Sequence, residues 1–115
     1  MLVERKDVLN EDGSLGYCES IFDSSNILKV TYFPKQNRLY IAFNRGHTYS
    51  YENITPEIYE EFEKAESQGK YFLSKIKNRQ EFPYRKEFSL FPSEIEQSRK
   101  IIQEVKNNKE DEWWF

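Results

Sequence analysis

The sequence predicts an α+β domain in which a three-stranded antiparallel meander packs against two short helices. Apolar and polar residues alternate from about residue 27 to residue 51, as in strands that bury one face. Apolar residues at helical spacing replace this alternation after Pro56. Aromatic residues make up 17% of the 115 residues, which supplies enough apolar area for one core.

Three strands account for the alternating region, with turns at residues 34–37 and 44–46. Gly46 is expected where the second turn needs a positive φ. The faces predicted for the strands are, in order, Leu28, Val30 and Tyr32; Leu39, Ile41 and Phe43; and His47, Tyr49 and Tyr51. Consecutive strands joined by such short turns indicate an antiparallel meander.

Helix signals follow the strands. Thr55 is a good N-cap with Pro56 at the first helical position, and the first helix is expected to end at Gly69. A second helix is predicted from Lys70 to Lys77. Ser93, with Glu96 three residues later, predicts a capping box for a last helix that ends at Asn107-Asn108.

The two ends differ from the middle in charge. Residues 1–22 and 86–115 carry more acidic than basic groups, whereas residues 23–85 carry slightly more basic ones. We interpret residues 1–22 as an acidic N-terminal arm, hairpin-like or irregular, residues 23–85 as the domain, and residues 86–115 as a C-terminal helix and tail.

Cys18 and His47 are the single cysteine and histidine, so an internal disulfide is excluded and a zinc cluster is not expected. No stretch has the pattern of a signal peptide or the length of a membrane span. These observations predict a cytoplasmic protein with no metal, small-molecule cofactor or membrane partner. Because nucleophiles and bases are dispersed along the chain, we expect a binding module and not an enzyme.

Three short motifs follow one another in the middle of the chain, separated by the predicted hairpin and helix. They are Ser24-Ser25-Asn26-Ile27, Tyr49-Ser50-Tyr51 and Ala65-Glu66-Ser67-Gln68-Gly69-Lys70-Tyr71-Phe72. This order resembles the KTSC domain, which is also found at the C-terminus of some lysyl-tRNA synthetases and as a stand-alone protein of bacteria and phages. The family's common Gly-Gly turn is Arg45-Gly46 here. The resemblance covers residues 23–85 and implies a binding role, for which RNA is the usual suggestion.

Basic and aromatic residues are interleaved between residues 70 and 86, a pattern typical of nucleic-acid surfaces. Tyr49 and Tyr51 lie on one strand face, where rings can stack unpaired bases. The predicted nucleic-acid-binding residues are Tyr49, Tyr51, Lys70, Lys75, Lys77, Arg79 and Arg85. Alternatively, the tyrosines belong to the core and the lysines form a solvated helix face.

The C-terminal tail combines acids with aromatic rings: Glu110, Asp111, Glu112, Trp113, Trp114 and Phe115. It is similar to the acidic-aromatic tips of bacterial single-stranded DNA-binding proteins, which dock into basic, apolar pockets of partner proteins. The alternative is that its rings fold back and complete the core. Two functions therefore stay open. The first is an accessory protein that contacts single-stranded RNA or DNA. The second is a protein-interaction module, of phage origin, that modulates or inhibits a host protein through its acidic ends and aromatic tail.

Overall fold

One antiparallel sheet of six strands, arranged in chain order, forms the centre of the protein. The computed structural model describes the backbone of residues 1–112 and the side chains of residues 1–108. The strands are β1 (Leu2–Leu9), β2 (Leu15–Phe22), β3 (Ile27–Phe33), β4 (Arg38–Phe43), β5 (Thr48–Tyr51) and β6 (Tyr84–Lys86). The helices are α1 (Pro56–Lys64), α2 (Gln68–Tyr71), which continues into a π-helical turn (Phe72–Ile76), and α3 (Pro92–Glu112). The α+β class is thus confirmed.

The predicted three-stranded meander is wrong in its extent, because β3, β4 and β5 are the middle of the six-stranded sheet. The region predicted as an N-terminal arm forms the hairpin β1–β2, closed by a turn in which Gly13 has a φ of 87°. β2 pairs with β3 and contributes the buried residues Cys18 and Phe22 to the core. The first 22 residues therefore complete the sheet.

The main core lies between one sheet face and α1 with α2. Tyr32 and Tyr59 stack there with ring centroids 4.3 Å apart, and Phe62 of α1 packs edge-to-face on Phe22. The faces predicted for β4 and β5 are largely confirmed, since Leu39, Ile41 and Tyr51 are core residues and Phe43 and Tyr49 pack against them. In β3 an irregularity between Ile27 and Lys29 places Ile27, and not Leu28, with Val30 in this core.

The first helix begins as predicted, since the Thr55 hydroxyl accepts a hydrogen bond from the Ile58 N–H at 3.4 Å. It ends at Lys64, five residues before the predicted end at Gly69. The second helix then begins at Gln68, with Ser67 accepting from the Lys70 N–H. Gly69 approaches Asn26 so closely that a Cβ there would lie 3.0 Å from the Asn26 amide nitrogen.

α3 covers part of the opposite sheet face. At the N-terminus of α3, the Glu94 carboxylate accepts a hydrogen bond from the Phe91 N–H. This contact takes the place of the capping box predicted from Ser93 and Glu96. Ser98 lies on the buried side of α3, and an ion pair from Lys106 to Asp23 ties the helix to the end of β2. The helix continues past Asn107-Asn108 to Glu112. Among the described helices, none has the length and apolar character needed to cross a membrane.

Candidate functional site

Five aromatic rings line a cleft of about 590 Å³ on the main-core side of the sheet, beside β4, β5 and β6. Each ring contacts the next, with centroid separations from 5.3 to 6.2 Å, so that the five close into a circle. In order around this circle they are Tyr84, Tyr49, Phe43, Phe72 and Tyr51. Separations of this size are those that aromatic pairs prefer, so the cleft is preformed by packing.

Strand register explains why these rings meet. Tyr49 and Tyr51 lie two residues apart on β5 and therefore share a face, as their spacing predicts. Pairing with β6 places Tyr84 opposite Tyr51 and Lys86 opposite Tyr49. Phe72 comes from the π-helical turn, where the Lys77 N–H donates to the Phe72 carbonyl at 2.8 Å. Single π turns of this kind recur at functional sites.

The rings differ in how much surface they offer. Tyr51 is only 6% exposed, and this burial raises the pKa of its phenol, so the residue is a neutral wall of the cleft. Tyr49 is half-buried, whereas Tyr84 is 64% exposed. Tyr51 therefore belongs to the core and also lines the cleft, while base stacking by Tyr49 and Tyr51 stays a prediction.

The rim of the cleft is basic and polar. Arg45, His47 and Lys77 line it with exposed side chains. The other polar lining residues are Ser25, Asn26, Asn44 and Asn78. None of the described residues that line the cleft is acidic, although the whole chain carries a net charge of −3. The cleft is consequently lined by rings and basic groups, on a chain whose net charge is negative.

Hydrogen bonds hold one edge of this rim in place. The Ser24 hydroxyl accepts from the Asn26 and Ile27 N–H groups at 3.3 Å each, which fixes the turn before β3. The Asn44 side-chain amide donates to the Ser25 carbonyl at 2.6 Å and ties that turn to the end of β4. The Ser-Ser-Asn-Ile motif therefore builds one wall of the cleft.

The predicted nucleic-acid-binding residues separate into two groups. Tyr49, Tyr51 and Lys77 meet at the cleft. Lys70, Lys75 and Arg79 are exposed but do not line it, and the Arg79 guanidinium donates to the Ser74 carbonyl at 2.7 Å. Arg85 lies on the opposite face of the sheet, because it pairs with Ser50 between Tyr49 and Tyr51.

Sequence reasoning missed Arg45, His47 and Phe43 as members of this site. Arg45 and His47 flank the Gly46 turn, so the end of the β4–β5 hairpin was their available signal. The side chains of Glu110, Asp111 and Glu112 and the whole of Trp113, Trp114 and Phe115 lie outside the described residues. The tail prediction therefore stays a prediction.

Sheet, helices and cleft together define a small α+β protein with a preformed aromatic site. A sequence model of the KTSC domain matches residues 23–82, so the chain belongs to the KTSC domain family. The crystal structure of a KTSC domain protein from Yersinia pestis is 30% identical and superposes with a TM-score of 0.58, over 63% of this chain and 99% of that chain. No curated protein sequence matches this chain.

Proposed function

We propose that the protein is a non-catalytic accessory protein that binds single-stranded RNA or DNA in the cytoplasm, with an unpaired base in the aromatic cleft. The observation that carries this proposal is the circle of five rings with Arg45, His47 and Lys77 at its rim and no acidic lining residue among those described. A nucleotide joins an aromatic plane to an anion. The cleft offers complementary groups for both.

Stacking supplies most of the expected affinity. Each base stacked on a protein ring contributes about 1 to 3 kcal/mol, and the preformed cleft lowers the ordering cost of binding. Tyr84 presents the most accessible of the rings, because it is the most exposed of the five. We therefore assign the first stacking contact to Tyr84, with Tyr49 and Phe43 behind it.

The charge of the rim favours one of the two kinds of ligand that a circle of aromatic rings can hold. Rings also bind quaternary ammonium groups through cation–π attraction. Here Arg45 and Lys77 would repel such a cation, and no lining carboxylate among the described residues would offset the repulsion. The same two cations attract a phosphate, which favours a nucleotide.

Single strands suit the site better than duplexes because the rings can reach only the face of an unstacked base. The main phosphate contacts, Arg45 and Lys77, are few, so the salt dependence should be shallow, with a slope of about −0.7 per phosphate contact. Affinity should therefore come mainly from stacking and be modest at physiological salt.

Fluorescence anisotropy with labelled single-stranded and duplex oligonucleotides tests the proposal at low salt. Tyr84→Ala should weaken single-strand binding by about 5- to 150-fold, the equivalent of one stacking contact. Lys77→Gln should flatten the salt dependence by about 0.7 of a slope unit. Lys75→Gln is the matched control, since this exposed lysine lies two residues away and outside the cleft lining.

Wild-type protein that binds neither RNA nor DNA single strands at low salt would eliminate this function. Equal effects of Lys75→Gln and Lys77→Gln would show that binding uses the general basic surface and not the cleft.

The alternative function rests on sequence alone. In it, the acidic ends and the tail at residues 110–115 modulate or inhibit a host protein that has a basic, apolar pocket. Capture of partners from a bacterial lysate, with and without nuclease, separates the two functions. Partners that disappear after nuclease treatment support nucleic-acid binding. Partners that survive it and depend on the tail support the alternative.

A further inference from the structure

Three asparagines line the cleft, and they differ in how much of their hydrogen-bonding capacity the fold uses. The Asn44 side-chain amide donates to the Ser24 and Ser25 carbonyls at 3.2 and 2.6 Å, so its donors serve the fold. The side-chain amides of Asn26 and Asn78 are exposed and hydrogen-bond to no described residue. Each of these two amides therefore offers a donor and an acceptor to a molecule in the cleft.

Asn26 is held more firmly than Asn78. Its N–H donates to the Ser24 hydroxyl at 3.3 Å, and its carbonyl accepts from the Asn44 N–H at 2.9 Å. Its side chain packs against Gly69, where a Cβ would lie 3.0 Å from the amide nitrogen. Asn78 instead follows the π-helical turn with a φ of 60°. Because a preorganised group loses less freedom on binding, Asn26 is the better placed of the two to recognise a ligand.

Asn26 and Tyr84 lie on opposite sides of the cleft. Asn26 precedes Ile27, which pairs with Phe43 of β4, whereas Tyr84 belongs to β6. In the circle of rings, Tyr49 contacts both Phe43 and Tyr84. The gap between the two sides is thus spanned by a single aromatic ring. A base in the cleft can contact the rings with its face and reach Asn26 with its edge.

The chemistry of an amide selects among the bases. An amide pairs with an edge that offers one donor beside one acceptor. Adenine carries its 6-amino donor between two ring-nitrogen acceptors, so both of its edges match an amide, and asparagine with adenine is a recurrent pair in base recognition. The outer edge of guanine carries acceptors alone, and the pyrimidines have a smaller face to stack. Adenine therefore suits both the rings and Asn26.

Resting on the proposed function, we infer that Asn26 determines base specificity by hydrogen-bonding the edge of an adenine whose face stacks on the rings of the cleft. Arg45 and Lys77 then contact the phosphate, which is the same in every nucleotide and carries no sequence information. The cleft consequently selects adenine-containing single strands.

Fluorescence anisotropy of the full-length protein with labelled strands of about 12 nucleotides tests this inference. One strand is oligoadenylate, and a second carries purine, which is adenine without its 6-amino group, at every position. The wild type should bind oligoadenylate about 2- to 12-fold more tightly than the purine strand, the equivalent of one hydrogen bond. Oligouridylate should bind more weakly still, because it also loses stacked area.

Two variants assign the preference to a residue. Asn26→Ala should retain most of the affinity for the purine strand, which shows that the variant is folded, and should lose the preference for oligoadenylate. Asn78→Gly is the matched control, because it removes the other unpartnered amide of the cleft and glycine adopts a φ of 60° without strain. Asn78→Gly should keep the preference.

The possible outcomes separate this inference from the function on which it rests. Equal binding of oligoadenylate and the purine strand by the wild type, together with a loss of binding in Tyr84→Ala, overturns the inference and leaves the cleft as the binding site. The inference is also overturned if oligouridylate binds as tightly as oligoadenylate, if Asn26→Ala keeps the preference or loses both strands equally, or if Asn78→Gly loses the preference. Absence of single-strand binding by the wild type overturns both the inference and the proposed function.

Discussion

Replacement of Tyr32 by Phe tests how the sheet is joined to the helices that position the cleft. The Tyr32 hydroxyl donates to the Ile54 carbonyl at 2.8 Å, and both residues are buried. Tyr32→Phe keeps the ring and its stack on Tyr59 but leaves that carbonyl without its donor. A buried polar group that loses its partner costs about 1 to 3 kcal/mol.

Chemical denaturation followed by circular dichroism measures this loss as a lower free energy of unfolding. In thermal unfolding, each kcal/mol of lost stability lowers Tm by about 4 to 8 °C in domains somewhat smaller than this protein. Tyr17→Phe is the control, because Tyr17 is half-buried and packs its ring on Phe33. If the free energy of unfolding of Tyr32→Phe lies within about 0.5 kcal/mol of the wild-type value, the hydroxyl bond does not join β3 to the connection between β5 and α1 as described.

Three further predictions follow from the same structure. Ile41→Ala should lower the free energy of unfolding by about 2 to 5 kcal/mol in a denaturant titration, because Ile41 is fully buried; a negligible change contradicts the assigned register. Burial raises the pKa of Tyr32 from 10.0 to about 12 and also raises the pKa of Tyr51. The stabilisation linked to these two neutral phenols should therefore be fully present below pH 10 and should be lost as the pH rises towards 12. In a pH titration, tyrosinate absorbance and the circular dichroism of the fold should change together. Deletion of residues 113–115 should lower Tm if their rings complete the core, or abolish partner capture at unchanged Tm if they dock on a partner; no change in either contradicts both readings of the tail.

The central strands and the start of α1 could be predicted because their signals are local. Leu39 and Ile41 alternate with half-buried or small residues, and Thr55-Pro56 is a complete helix start. β1 offers no such signal, since Glu4, Arg5, Lys6 and Asp7 follow one another at the sheet edge. Its position depends on pairing with β2 and on the ion pair of Arg5 with Glu63 of α1 at 2.9 Å, a contact 58 residues distant.

Half of the candidate site was predictable for the same reason. The shared face of Tyr49 and Tyr51 follows from strand alternation alone. Tyr84 joins them only through a three-residue strand more than thirty positions later, and Phe72 only through a π-helical turn. The positions of both rings depend on long-range packing, which the local sequence does not show. For the same reason the basic run from residue 70 to residue 86 was interpreted as one surface, although the fold places Lys77 at the cleft and Arg85 on the opposite face of the sheet.

The position of the cleft follows from the widths of the two layers. Six strands spaced about 4.8 Å apart make a sheet about 24 Å wide between its edge strands. Two helices of about 10 Å diameter cover about 20 Å of that width. α1 lies over the β2–β3 side, where Phe62 meets Phe22 and Tyr59 meets Tyr32, while Phe72 after α2 reaches Phe43 and Tyr51. The helical layer is therefore too narrow for the last strand, and Tyr84 on β6 is left with one wall of neighbours and an open side. Tyr84, which the short strand β6 contributes, is therefore the most exposed ring of the circle, at 64%.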